Sequence, residues 1–173
     1  LIAEFENDYT FIDNEGPLFY FKTDKDTPMG RIVAIDIRKP DPKHWMEIVS
    51  ESEEPLQSAD VIHNFLLCSY LKDVTTRVKL FSLKGRYLRD LKLPGLGTAR
   101  GFGGKRSDSE TFYSFESFAV PPSIYQYDFI ADESTLLERS HVDFNPDEYT
   151  TEQVFYTSKD STRIPMFITH KKS

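Results

Sequence analysis

The strand pattern Arg31-Ile-Val-Ala-Ile-Asp-Ile37 returns 46 positions later as Arg77-Val-Lys-Leu-Phe-Ser-Leu83, and after a further 46 as Ser123-Ile-Tyr-Gln-Tyr-Asp-Phe129. Ahead of each copy lies an aromatic-rich strand, at Leu18–Thr23, Leu67–Lys72 and Thr111–Glu116. Behind each lies a weaker apolar one, at Trp45–Val49, Tyr87–Leu91 and Thr135–Arg139. Turn residues fill the gaps, including Thr27-Pro-Met-Gly30, Pro40-Asp-Pro42, Lys84-Gly85 and Pro121-Pro122. Short alternating strands recurring at such a period are the signature of propeller blades, each a four-stranded sheet that cannot bury both faces by itself. The pattern therefore predicts an all-β chain, a partial β-propeller of about three four-stranded antiparallel blades that belongs to something larger. Antiparallel pairs are expected among strands near 18–23, 31–37, 65–72, 77–83, 111–117 and 123–129. A plain antiparallel sandwich is the competing fold, and constant spacing over three units argues against it.

At 173 residues, with 39% apolar and 14% aromatic side chains, the chain can build a sizeable core. Fourteen Phe and nine Tyr, without helix-period apolar stripes, favour sheet. Twenty-one Lys plus Arg against 28 Asp plus Glu give a net charge of −7, which offers no electrostatic footprint for nucleic acid or an anionic membrane. One cysteine, Cys68, and the absence of Asn-x-Ser/Thr suit a reducing compartment, so a cytoplasmic location is expected. No apolar run approaches 18 residues, and a chain that opens on Leu1 with no basic-then-apolar leader reads as internal to a longer protein.

Motifs that carry chemistry are scarce. Gly95-Leu-Gly-Thr-Ala-Arg-Gly-Phe-Gly-Gly-Lys-Arg106 contains Gly104-Lys105, but a phosphate loop needs Gly where Ala99 stands and Ser or Thr where Arg106 stands. The stretch reads instead as a strand flanked by tight turns, with glycines where the backbone bends or crowds. His44, His63, His141 and His170 are isolated and lack partners at metal-ligand spacing. There is no Gly-x-Ser-x-Gly elbow. Cys68, within Asn64-Phe-Leu-Leu-Cys-Ser-Tyr70, reads as a small thiol packed in a strand, and Glu51-Ser-Glu-Glu54 as a solvated connector. No catalytic residue, cofactor or metal site is assigned.

The tail changes character. Two apolar strands, 153–157 and 164–170, flank the polar turn Ser158-Lys-Asp-Ser-Thr162, which predicts a β-hairpin outside the blade repeat. The phrase Phe155-Tyr-Thr-Ser-Lys-Asp-Ser-Thr-Arg-Ile-Pro-Met-Phe167 resembles the hairpin that opens the peptidase domain in the prolyl oligopeptidase family, with Ser161 where that family usually has Gly. The resemblance extends through Asp108–Phe118, the following Ile124-Tyr-Gln-Tyr-Asp128, and Asn14-Glu-Gly16 with Phe21-Lys-Thr23. It implies that residues 1–147 are the last three blades of a seven-bladed propeller, and that 148–173 begin an α/β-hydrolase domain that stops before the elements holding the Ser-Asp-His triad. The parent would be a serine-type endopeptidase cleaving short peptides after proline, the blades limiting access. The chain alone would be inactive, with the remaining blades, the peptidase domain and a second copy of itself as the expected partners. Two alternatives are a stand-alone propeller-type interaction module, against which the hydrolase-like tail argues, and a small independent hydrolase, against which the missing elbow argues.

Overall fold

The computed structural model describes residue 2 and residues 6–172. Its first sheet holds β1 (Tyr9–Glu15), β2 (Leu18–Thr23), β3 (Arg31–Asp36) and β4 (Met46–Val49), its second β5 (Leu56–Ile62), β6 (Phe65–Lys72), β7 (Thr75–Ser82) and β8 (Tyr87–Leu91). The third holds β9 (Thr98–Arg100), β10 (Glu110–Glu116), β11 (Ser123–Asp128) and β12 (Glu133–Arg139). In each sheet neighbours in sequence are neighbours in space, the order of a propeller blade. A separate ribbon pairs β13 (Tyr149–Thr157) with β14 (Arg163–Lys171). The fold is thus all-β, three four-stranded blades and a hairpin, and no helix among the described residues is long and apolar enough to cross a membrane.

The repeat survives in the fold: β3, β7 and β11 end at Asp36, Ser82 and Asp128. The first blade departs from it at its last strand. There Pro40-Asp41-Pro42 starts a 3-10 turn over Pro42–His44, capped by Asp41, whose carboxylate accepts from the Lys43 amide at 3.2 Å. Trp45 then donates its indole N–H to the Pro40 carbonyl at 2.8 Å and closes the detour. The first strands of the first two sheets escaped the sequence pattern for a physical reason. Bulges interrupt β1 between Phe11 and Asp13 and β5 between Leu56 and Ser58, so period-2 alternation never accumulates, whereas the three-residue β9 is the strand expected between the turns of 95–106.

The chain gathers into two compact units. One runs through Lys72 and adds Arg77–Leu91 and Gly104–Ser109; the other takes Asp73–Thr76, Lys92–Gly103 and the chain from Glu110. The first unit is held by a mostly aliphatic core in which Ile32 and Val49 of the first sheet meet Leu56, Val61, Leu66, Cys68, Tyr70 and Phe81 of the second. Gly85 permits this approach: its φ is +79°, and a Cβ there would lie 1.7 Å from the Ile48 carbonyl oxygen. In the second unit the core is aromatic. Phe102 stacks on Tyr113 with ring centres 4.7 Å apart, Tyr113 on Tyr125 at 5.4 Å, and the Tyr113 hydroxyl donates to Ser134 at 2.8 Å, satisfying its polar end.

Candidate functional site

The hairpin supplies the most informative surface. Its nine-residue pairing puts Thr151, Gln153 and Phe155 opposite Thr169, Phe167 and Pro165 on one face, and Glu152, Val154 and Tyr156 opposite Ile168, Met166 and Ile164 on the other. The first face is seated. The Gln153 amide donates to the main-chain carbonyl of Asp73 at 2.6 Å, and the Phe167 ring lies 5.2 Å from Phe118. Arg163 lies over the Phe155 ring at 3.3 Å. The second face leaves Tyr156, Met166 and Ile168 exposed.

Asp73 and Val74 form the two-residue turn between β6 and β7, with φ of +46° and +68°. Positive φ at both positions is the type I′ geometry that suits strand twist, but a β-branched residue is strained there. Its neighbour turn, His63-Asn64, has the same geometry, with φ of +51° and +56°. Beside Val74 lies a cleft of about 270 Å³ walled by Val74, Leu96, Thr98, Glu116, Phe118 and Phe167. Gly97 shapes it, since a Cβ there would come within 2.3 Å of the Glu116 carbonyl oxygen and 2.7 Å of the Phe115 ring.

The glycine-rich stretch behaves as a short strand, β9, between turns. Lys105 of its Gly104-Lys105 pair spends its amide on the Asp108 carboxylate at 2.8 Å, and its carbonyl accepts from His63 at 3.3 Å. Arg106 reaches Asp13 at 2.6 Å and the Asn14 carbonyl at 3.1 Å. Residues 104–106 are thus an internal tie of the first unit, while 95–103 belong to the second. Nothing in the stretch cradles phosphate.

The histidines are not brought together. His44 ends the 3-10 turn, and His63 holds its Nδ1 3.0 Å from the Asp108 carbonyl. His141 faces the Asp143 carboxylate at 3.7 Å in the open, and His170 lies 3.0 Å from the Lys171 carbonyl. Among the described residues no group of three or more His, Cys, Asp or Glu could hold a metal ion. Cys68 is fully buried and burial pushes its thiol up, which keeps the nucleophilic thiolate unpopulated.

The reading of Glu51–Glu54 as a solvated connector fails at Glu54. That side chain is 13% exposed and meets Lys79 at 2.7 Å, Arg77 at 2.9 Å and Lys72 at 3.1 Å. Burial pushes its carboxyl up, but the hydrogen bonds from Lys79 and Lys72 prevail and hold it below the ordinary range. Glu51 is committed too, accepting from the Met29 amide at 2.7 Å. The cations come from β6 and β7, so nothing in the local text announced them.

In the hairpin turn, Ser161 keeps the left-handed backbone of the glycine it replaces, at φ +68°. Asp160 orders the turn: hydrogen bonds from the Ser158 hydroxyl and then from the Thr162 amide, the latter at 3.1 Å, hold its carboxyl at about 2.

Residues 1–140 match the model of the prolyl oligopeptidase N-terminal β-propeller domain. The prolyl endopeptidase of Elizabethkingia miricola is 37% identical over 172 residues, covering 99% of this chain and 24% of that protein. The dual function macrocyclase-peptidase POPB of Galerina marginata is 30% identical over 178 residues, covering 100% of this chain and 24% of that protein. Among solved structures, one from a structural and mechanistic analysis of two prolyl endopeptidases is similar with a TM-score of 0.85 at 35% identity, covering 99% of this chain and 25% of that one. The apo form of prolyl oligopeptidase B from Galerina marginata gives 0.89 at 29% identity, with the same coverage. The chain therefore spans about a quarter of the length of the curated relatives it matches. With three blades of the expected order and a family match over most of its residues, the chain belongs to the prolyl oligopeptidase family, within the N-terminal β-propeller region.

Proposed function

We propose that this chain is the non-catalytic part of a serine-type prolyl endopeptidase, with blades that limit the access of substrates to a peptidase domain whose first strands are the hairpin. The observation that carries the reading is the continuous match to prolyl endopeptidases over 99% of the chain, at only 24% of their length. The position of β13 and β14 supports a domain boundary near residue 147, because both lie outside the blade repeat and beyond the 140 residues matched as propeller. Short proline-containing peptides are then substrates of the parent, and further blades and a peptidase domain are partners of this chain. The net charge of −7 supports a role without nucleic acid or anionic membrane, and the single buried cysteine supports a cytoplasmic setting.

The test is complementation. The purified chain alone is expected neither to cleave a proline-containing chromogenic peptide nor to take a fluorophosphonate label. Coexpression with the remaining blades and peptidase domain as separate polypeptides is expected to restore both. Turnover by the chain alone that vanishes when one of its own serines is replaced overturns the reading.

A further inference from the structure

Ser69, on β6, is 6% exposed, and its hydroxyl oxygen is buried without a hydrogen-bond partner among the described residues. Buried hydroxyls are ordinarily paired, so an orphan one points to a group that completes it. The antiparallel register places Ser58 of β5 directly opposite Ser69, and Asp60 two residues further along β5, opposite Leu67. Residues opposed across a ladder, and residues two apart on one strand, share a face of the sheet, so Ser58, Asp60 and Ser69 look the same way. Val61, Leu66 and Cys68, which alternate with them, are spent on the core of the first unit on the other face.

Asp60 is the second anomaly. It is half-buried, and among the described residues no hydrogen bond or ion pair reaches its carboxylate. Burial pushes its carboxyl up, and no neighbouring charge counters that shift. The cations of β6 and β7, Lys72, Arg77 and Lys79, are committed to Glu54. A carboxylate withdrawn from water without a partner is costly unless a cation or a proton neutralises it.

We propose that Ser58, Asp60 and Ser69 form a binding site for an alkali-metal cation. The Asp60 carboxylate supplies the charge, the two hydroxyls supply neutral oxygens, and water fills the remaining positions. Directly opposed residues sit about 5 Å apart at Cβ and diagonal ones about 7 Å, distances that three side chains closing on one ion can span. Ser58 is exposed, which gives the ion a way in. The single negative charge selects the class: calcium sites gather more oxygens, from several carboxylates. Zinc takes nitrogen and sulfur, and neither Cys68, on the other face, nor His63, whose Nδ1 lies at the Asp108 carbonyl, is offered. The set stands on β5 and β6 alone, independently of the function proposed above.

The test titrates the carboxyl groups of the 173-residue chain by carbon NMR in sodium, potassium and choline chloride at one ionic strength, and records the thermal midpoint in each at pH 7. At an alkali-cation concentration about ten times the dissociation constant, the proton affinity of Asp60 is expected to be about tenfold lower than in choline. The midpoint is expected to rise in sodium or potassium over choline, and to saturate. Asp60→Asn removes that rise, and with no charge left to neutralise it is expected to fold in choline. Ser69→Ala keeps the charge but removes one neutral oxygen, so the half-effect concentration climbs several-fold. Identical Asp60 titrations in all three salts overturn the proposal and leave water as the group that completes Ser69. A rise that survives in Asp60→Asn, or a larger response to calcium or magnesium than to sodium and potassium at equal ionic strength, overturns it as well.

Discussion

Single backbone positions govern the closest approaches in this molecule. At Gly85 a methyl group would collide with the Ile48 carbonyl and force a side chain into left-handed backbone. Gly85→Ala is expected to cost about 3 kcal/mol or more, seen as a lower urea midpoint with an unchanged slope. Ser161 presents the inverse case, a side chain where the backbone wants none, at φ +68°. Ser161→Gly is expected to stabilise the hairpin by about 1 kcal/mol, read from the exchange of β13 and β14 amides. The Ser161 strain was legible because the surrounding phrase has a known shape. The Val74 strain was not, because Asp-Val carries no turn signal and only the flanking strands impose the geometry.

At the scale of elements, a connector and a turn each depend on one carboxylate. Glu54 ties the lead-in of β5 to cations from β6 and β7, and Glu54→Gln is expected to lose about 2 kcal/mol by leaving Lys79, largely buried, without its counter-charge. Its folded carboxyl is held below the ordinary range, so its stabilisation is complete above about pH 4.3 and fades as pH falls through the lower folded value. The hairpin turn follows the same sign. Asp160 is held at about 2 against an ordinary value of about 3.9, so its contribution is present above about pH 4 and lost between there and about pH 2. Loss of protection in β13 and β14 over that interval, absent in Asp160→Asn, is the expected outcome. The hairpin's existence was readable from its two apolar runs and polar turn, although it extends four residues further at its start than those runs suggested.

At the scale of the whole molecule, terminal blades leave apolar side chains in the open, among them Phe11 on β1, which sits against Phe19 and Phe21, and Phe112 and Ile124 on the outward face of the third sheet. Such faces favour association. We propose that the isolated chain pairs with itself, and light scattering over a dilution series is expected to show a dimer or larger species that loses mass on dilution. A monomer at every concentration would remove that idea. The alternation that names β2, β3, β6, β7, β10 and β11 is written residue by residue and repeats every 46 positions, so the sequence by itself determined the blades, their number and the hairpin that follows. Only the tertiary structure decided β1 and β5, whose bulges erase the period, and the burial of Glu54, whose cations lie 18 to 25 residues further along. It alone decided, too, where the hairpin sits. Gln153 and Asp73 are 80 residues apart and meet through a carbonyl oxygen. Every residue carries such an oxygen, so no motif can announce which one will be used.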